Sequence, residues 1–238
     1  MLAENLARVR ERISLACERC RRDPRSVTLI GVTKTVEAAQ VREAIALGVA
    51  ELGENRVQEA VGKAEALAQL ALPEGRRVRW HLIGHLQTNK IRPAVRLFET
   101  IHSVDSARLA EALDREAAAQ GRRIDVFLQV NVSGEAAKFG CAPGDAAGLA
   151  ERLAGCGHLR LRGLMTIPPA GDAAQARPYF RMLRELRDAL HQQLHAGGRS
   201  AGEAPLQLSM GMSEDFEVAI EEGADVIRVG TAIFGERG

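Results

Sequence analysis

The sequence predicts an α/β fold: a single (β/α)8 TIM barrel with an extra N-terminal helix. Three observations carry that prediction. Short apolar runs with strand character return eight times, alternating with helical patterns. The 238 residues suit one barrel of this kind, which typically takes about 250. Polar residues and glycines gather at the C-terminal end of every run, the face on which barrels carry their sites. No G-x-G-x-x-G follows the first strand, so an open dinucleotide-binding sheet lacks its main signature. One domain over residues 1–238 is expected.

Leu2, Leu6, Val9, Ile13 and Ala16 recur at three- and four-residue intervals, the stripe of an amphipathic helix ahead of the first strand. The first strand is the run Val27-Thr28-Leu29-Ile30-Gly31-Val32-Thr33-Lys34. A helix follows over 36–47, and Gly48 offers a left-handed C-cap. Residues 50–55 read as a strand and 56–70 as a helix. Strand and helix then alternate over 79–85 and 89–97, 100–104 and 106–119, 124–132 and 145–153, 159–167 and 175–194. Strands at 206–210 and 226–234 flank a helix at 214–221. The glycine-rich stretch 195–205 reads as a surface loop before strand seven.

Composition narrows the function. Lys and Arg total 32 against 31 Asp and Glu, so no electrostatic footprint for nucleic acid or anionic membrane is visible. The arginines crowded near the N-terminus are interleaved with glutamates, as on a solvated helix face. No apolar run reaches the roughly eighteen residues of a membrane span, and the first residues are not signal-like, so a cytoplasmic protein is expected. Cys17 and Cys20 form a C-x-x-C pair with no second pair at zinc spacing and no preceding strand. They are expected to be reduced and structural.

Lys34 is the residue that most needs an explanation. A lysine at a strand end is ordinarily a surface ammonium. At the mouth of a barrel, held against apolar walls, it is also a candidate nucleophile for a carbonyl. The other strand ends supply Asn55, His85, Met165 and Ser209-Met210-Gly211-Met212-Ser213, with Gly230-Thr231 closing the ring. The loops after strands seven and eight are where barrels often hold a phosphate. Gly211 would let backbone approach an anion, and Ser213 is placed to cap the helix that follows. Either glycine alone is equally an ordinary tight turn. Arg228 lies inside the apolar strand Val226-Ile227-Arg228-Val229 and needs an acceptor there. That acceptor is either an acid such as Glu54 or the ring nitrogen of a cofactor, and an arginine donor would keep a pyridine nitrogen unprotonated and weaken the ring as an electron sink. His81 and His85 share strand parity without an evident third ligand, so His85 is read as lining the mouth rather than holding a metal. Lys138 is either a second amine or a solvated loop lysine.

Taken together, Gly31-Val32-Thr33-Lys34-Thr35, Gly53-Glu54-Asn55-Arg56-Val57-Gln58-Glu59, residues 80–90 from Trp80 to Lys90, Gly163-Leu164-Met165, Ser209-Met210-Gly211-Met212-Ser213 with Asp215, and residues 228–235 resemble the pyridoxal phosphate homeostasis proteins (YggS/PROSC family). The resemblance runs through nearly the whole chain in order, departing where the family often has Ala-Val-Ser in place of Gly31-Val32-Thr33. It implies an alanine-racemase-like barrel carrying pyridoxal 5'-phosphate as an aldimine on Lys34. It also implies a phosphate held by the Ser209 to Ser213 and Gly230-Thr231 loops, and Arg228 at the pyridine nitrogen. The expected role is a cytoplasmic, monomeric, non-catalytic carrier that buffers the cofactor and passes it on through transient contact with apoenzymes. The alternative is a racemase or lyase using the same cofactor. Racemases of the alanine type pair the lysine with a tyrosine and need a further domain, whereas the single Tyr179 is in phase with Met182, Leu183, Leu186 and Leu190 on a helix.

Overall fold

A computed structural model describes residues 1–69, 77–196 and 205–235. Eight parallel strands close into a barrel in sequence order, β8 pairing back to β1. They are β1 (Thr28–Val32), β2 (Glu51–Glu54), β3 (Arg79–Leu82), β4 (Thr100–Val104), β5 (Ile124–Gln129), β6 (Leu159–Met165), β7 (Gln207–Ser209) and β8 (Val226–Val229). The helices are α1 (Leu2–Arg19), α2 (Ala38–Ala46), α3 (Val57–Gln69), α4 (Ile91–Leu97), α5 (Ala107–Ala119), α6 (Ala146–Ala154), α7 (Ala173–Ala196), α8 (Phe216–Glu221) and α9 (Thr231–Phe234).

The helix in front of the barrel is α1, and it buries the expected stripe of Leu2, Leu6, Val9, Ile13 and Ala16, with Cys17 added. It packs on α8 and α9. Arg12 reaches Glu217 at 2.6 Å and lies 4.5 Å over the Phe216 ring, and Arg19 reaches Glu221 at 2.7 Å. Burial pushes the Cys17 thiol up, with Cys20 acting in the same direction, which disfavours a reactive thiolate.

Alternation along the strands divides buried residues between two compartments. Outward strand faces and the inner faces of the helices form one continuous apolar cluster that includes Phe98, Leu113, Phe180 and Phe216. Inside the barrel a small separate cluster holds Ile30, Phe127, Met165 and Val226. The rest of that lumen is polar, with Glu51, His81, His102, Ser209 and Arg228 all buried.

Several strands are shorter than the sequence suggests, and the eighth differs most. It ends at Val229, and 231–234, expected as more strand, forms α9 instead. Gly230 O accepts the N–H groups of Ile233 and Phe234 at 2.9 Å, and Ile233 is wholly buried. An apolar run this short has no periodicity that separates the two states. The ladder between β7 and β8 is brief, with one register pair, Ser209 to Val226. Backbone bonds from Met210 N–H to Val226 O (3.0 Å) and from Arg228 N–H to Gly211 O (2.9 Å) extend it. The expected surface loop at 195–205 lies almost entirely outside the described residues.

Candidate functional site

At the C-terminal end of the barrel a cavity of about 580 Å3 opens between the strand ends. Its lining includes Lys34, Asn55, His85, Ser213, Arg228, Gly230 and Thr231, seven of the positions the sequence singled out. An open polar groove of about 730 Å3 at Arg56, Gln58, Glu59, Gln87 and Lys90 adjoins it and shares Asn55, Gly84 and His85. The smaller cavity is the better candidate because it alone contains an amine and a buried cation in one enclosure.

Lys34 follows β1 in a turn fixed from both sides. Thr33 Oγ1 donates to Glu54 Oε1 at 2.6 Å, and Lys63 Nζ donates to Thr33 O and to Glu54 Oε1, each at 2.5 Å. Thr35 adopts φ +60°, unusual for a β-branched residue, and its N–H donates to the Glu59 carboxylate. Two side chains of α3 therefore hold the backbone on either side of Lys34. Glu54 is fully buried, and burial pushes its carboxyl above the ordinary value against the pull of Lys63 and Thr33. The partner of Glu54 is thus Lys63, and the ion pair with Arg228 that the sequence left open does not form. Lys63 lies outside the barrel on α3, whereas Arg228 points into the lumen.

Arg228 is 3 % exposed and donates to Ser209 Oγ at 2.8 Å and Thr166 O at 2.9 Å. These bonds use two of its five N–H groups. Burial lowers its pKa to about 10, with the Asp215 carboxylate opposing, so it is a cation at neutral pH. Asp215 is itself buried and accepts from Met212 N–H at 2.6 Å.

Ser213 does not cap α8. That helix begins at Phe216, two residues beyond the reach of a cap at position 213. The Ser213 hydroxyl instead accepts from the backbone N–H groups of Gly230 and Ala232, both at 3.3 Å, joining the loops after β7 and β8. Gly211 also plays a different part. Its φ is +93°, and a Cβ there would lie 2.6 Å from the Ala219 Cβ, so the glycine serves contact with α8 rather than with the cavity. Met165 and Ser209 do not line the cavity either. Met165 belongs to the apolar lumen cluster, and Ser209 lies beneath Arg228 as its acceptor.

Asn55 and His85 both reach the rim, where Gly84 passes so close to the Asn55 backbone that a Cβ would fall 2.4 Å from Asn55 O. The exposed His85 ring stacks on Phe139, centroids 4.0 Å apart and planes at 12°. Phe139, Ile167, Gln129 and Met212 also line the cavity; Met212 and Ile167 belong to strand ends expected at the mouth, whereas sequence reasoning missed Phe139 and Gln129. Of those two only Phe139 carried a signal, as an aromatic beside Lys138 in a loop after a barrel strand. Lys138 is outside the lining and pairs with Glu135 at 3.0 Å. His81 parts from His85, pointing into the lumen where His102 lies 3.0 Å away. Tyr179 is packed against the apolar shell, away from the mouth.

Comparison with known proteins shows the family. The family described as alanine racemase, N-terminal domain, matches residues 5–238. A pyridoxal phosphate homeostasis protein of Pseudomonas aeruginosa is 46 % identical over 237 residues, covering 99 % of this chain and 96 % of that one. Another, from Aquifex aeolicus, is 44 % identical and covers 98 % of this chain and 97 % of its own. The solved structure of PipY from Synechococcus elongatus with PLP bound is 40 % identical, with a TM-score of 0.83 over 99 % of this chain and all of that one (100 %). With a relative this close over nearly its full length, the chain belongs to the family of pyridoxal phosphate homeostasis proteins, built on the alanine racemase N-terminal domain fold.

Proposed function

We propose that this protein binds pyridoxal 5'-phosphate in the cavity at the barrel mouth, joined to Lys34, and acts in intracellular homeostasis and delivery of that cofactor rather than in turnover of a substrate. The observation that carries the reading is Arg228. It is a buried cation at the cavity, bonded to a hydroxyl and a carbonyl rather than a carboxylate, with N–H groups left for a ligand. PipY, 40 % identical, has PLP bound.

The residues present fit the group. Lys34 Nζ supplies an amine for the aldehyde, forming a C=N bond with loss of water. The N–H groups of Gly230 and Ala232 converge on one hydroxyl at 3.3 Å, long for N–H···O, and a phosphate oxygen is the stronger acceptor for them. Thr231 adds a hydroxyl. Bound pyridoxal phosphate supplies an electrophilic aldehyde and a pyridine ring whose electron demand rises when its nitrogen is protonated. Arg228 offers that nitrogen a donor that does not part with its proton at neutral pH, so the ring is gripped without being activated. Met165, Ser209 and Gly211 support this site from beneath and behind.

Release to apoenzymes by transient contact at the exposed rim of His85, Phe139 and Ile167 belongs to the same reading, as do a single 1–238 domain, a monomeric state and a cytoplasmic location. Two measurements test it. Visible absorption of the loaded protein before and after borohydride, followed by peptide mapping, should place the label on Lys34. A label mainly on Lys138 or another lysine would overturn the assignment. A screen of amino-acid enantiomers in deuterated water should show negligible α-proton exchange. Rapid exchange dependent on Lys34 would favour the racemase or lyase alternative.

A further inference from the structure

A line of hydrogen-bonded side chains crosses the lumen beneath the cavity, drawn from five different strands. Arg228 on β8 donates to Ser209 Oγ on β7 at 2.8 Å. Ser209 Oγ lies 2.9 Å from His102 Nδ1 on β4, His102 Nε2 lies 3.0 Å from His81 Nδ1 on β3, and His81 Nε2 lies 2.7 Å from Glu51 Oε2 on β2. Arg79, more than half exposed at the N-terminal end of the barrel, donates to the other Glu51 oxygen. Every member from Glu51 to Arg228 is less than 9 % exposed, and His102 and Ser209 are fully buried.

The direction of every bond in this line follows from its ends. A guanidinium only donates, so Arg228 fills a lone pair of Ser209 and the hydroxyl hydrogen goes to His102 Nδ1. His102 then carries its one proton on Nε2 and donates it to His81 Nδ1. His81 in turn carries its proton on Nε2 and donates it to Glu51. Burial, with His81 and Arg228 close by, lowers the His102 pKa well below its ordinary value, in keeping with a neutral ring. Burial pushes the Glu51 carboxyl up, but the bonds from His81 and Arg79 outweigh it and hold it below the ordinary value, so the terminal acceptor is a carboxylate. The reverse direction leaves the Ser209 hydrogen without an acceptor. It also sets a His81 lone pair against the Glu51 carboxylate unless a second proton is added. Arg228 has no carboxylate among its own hydrogen-bond partners, and this line connects it to one.

We propose that Ser209, His102 and His81 are positioning residues for Arg228: a one-way hydrogen-bond wire anchored on Glu51 that orients the guanidinium toward the ring nitrogen of the cofactor. The proposal rests on the reading of Arg228 given above. Its consequence is that a change at the bottom of the barrel, remote from the cavity, alters how the cofactor is held.

The test uses Glu51→Gln, which keeps side-chain size and so the fold. With Arg79 donating to the amide oxygen, the amide nitrogen faces His81 Nε2 and donates where the carboxylate accepted. His81 must move its proton to Nδ1, opposing the proton on His102 Nε2. Long-range proton–nitrogen NMR of the protein without cofactor at pH 7 should show the Nε2–H tautomer at both His81 and His102 in the wild type and a changed tautomer at both in Glu51→Gln. Spectral titration with pyridoxal phosphate should show a shifted absorption maximum and about tenfold weaker binding in Glu51→Gln and in Ser209→Ala, the size of one charge-assisted hydrogen bond. A wild-type His102 protonated on Nδ1 or on both nitrogens would overturn the wire. If Arg228→Lys changes the cofactor spectrum while Glu51→Gln leaves spectrum and affinity as in the wild type, the proposal falls and the ring-nitrogen reading stands. An unchanged spectrum in Arg228→Lys overturns that reading, and the proposal with it, whatever the tautomers.

Discussion

The shell between sheet and helices and the lumen inside the sheet bury side chains for different ends. In the shell burial is almost wholly apolar and continuous, running from α1 through Phe98, Leu113 and Phe180 to Phe216. In the lumen four apolar side chains share the space with two histidines, a serine, a glutamate and an arginine. Barrel interiors are ordinarily packed with branched apolar side chains, and a buried polar group costs stability unless each partner is satisfied. This lumen offsets the cost by linking those polar groups into one line, leaving N–H groups of Arg228 over at the cavity. The shell therefore carries the stability of the fold, while the lumen uses some of it to hold a cation beneath the mouth.

The sharpest way to break that division is at the mouth itself. Lys34→Ala should abolish borohydride-dependent labelling altogether while leaving the thermal midpoint of the cofactor-free protein nearly unchanged, because Lys34 takes no part in the apolar cluster. A large fall in the midpoint would show that the site and the fold are not separable. In the shell the opposite pattern is expected. Phe180→Ala, at a fully buried position, should cost about 3–5 kcal/mol in urea unfolding, with the spectrum of bound cofactor unaltered in the protein that remains folded.

A smaller effect concerns the loops after β7 and β8. If Ser213, Gly230, Thr231 and Ala232 grip a phosphate, pyridoxal lacking it should bind at least about a hundredfold more weakly, the loss of two or so charge-assisted bonds. Thr231→Val should weaken pyridoxal phosphate and barely affect pyridoxal. Equal affinity for the two aldehydes would mean that the loops hold each other and nothing else.

The smallest effect is a pH dependence rooted in the lumen. His102 has a depressed folded pKa, so below the unfolded value near 6.5 the unfolded chain binds a proton that the folded one does not, and stability falls with pH by up to about 1.4 kcal/mol per unit. Glu51, depressed as a carboxyl, adds a loss of the same sign at lower pH, starting below its unfolded value near 4.3. Glu54, Asp215 and Asp225, raised by burial, act in the opposite sense. Comparing the wild type with His102→Phe between pH 7 and 5 cancels them, and the variant should show the flatter profile. Parallel profiles would place the titration elsewhere.

The barrel was legible in the sequence because its unit repeats: eight apolar runs, each with polar residues at the same end, admit few closures. Lys34 and Arg228 were legible as charges in apolar strands. What escaped depends on contacts across the molecule. Ser213 looked like a cap because it precedes a helix, but the helix starts at Phe216 and the hydroxyl is taken by Gly230 and Ala232. Glu54 entered only as a possible partner of Arg228, and its actual partner Lys63 lies on the next helix, on the outward face. Strand parity put His81 beside His85, yet no pattern in the chain reveals that His81 meets His102 and, through it, Ser209, 107 residues beyond His102. Such contacts arise from the curvature of the closed sheet. The run 226–234 was read as one strand because only the conformation at Gly230 divides it.

The brief ladder between β7 and β8 gives the barrel a seam. A three-residue strand joined by one register pair has few bonds to break, so amide hydrogens there should exchange through local openings of lower free energy than those of β4, β5 and β6. The loops after β7 and β8, which bring Ser213, Gly230 and Thr231 to the cavity, leave the sheet at this seam, and Ser209 and Arg228 bridge it with their side chains. A ligand held by both loops would stitch the seam, and slower exchange there on adding pyridoxal phosphate is the outcome expected of the proposed site. Without such a ligand the seam rests on its few backbone bonds and on the Arg228–Ser209 contact.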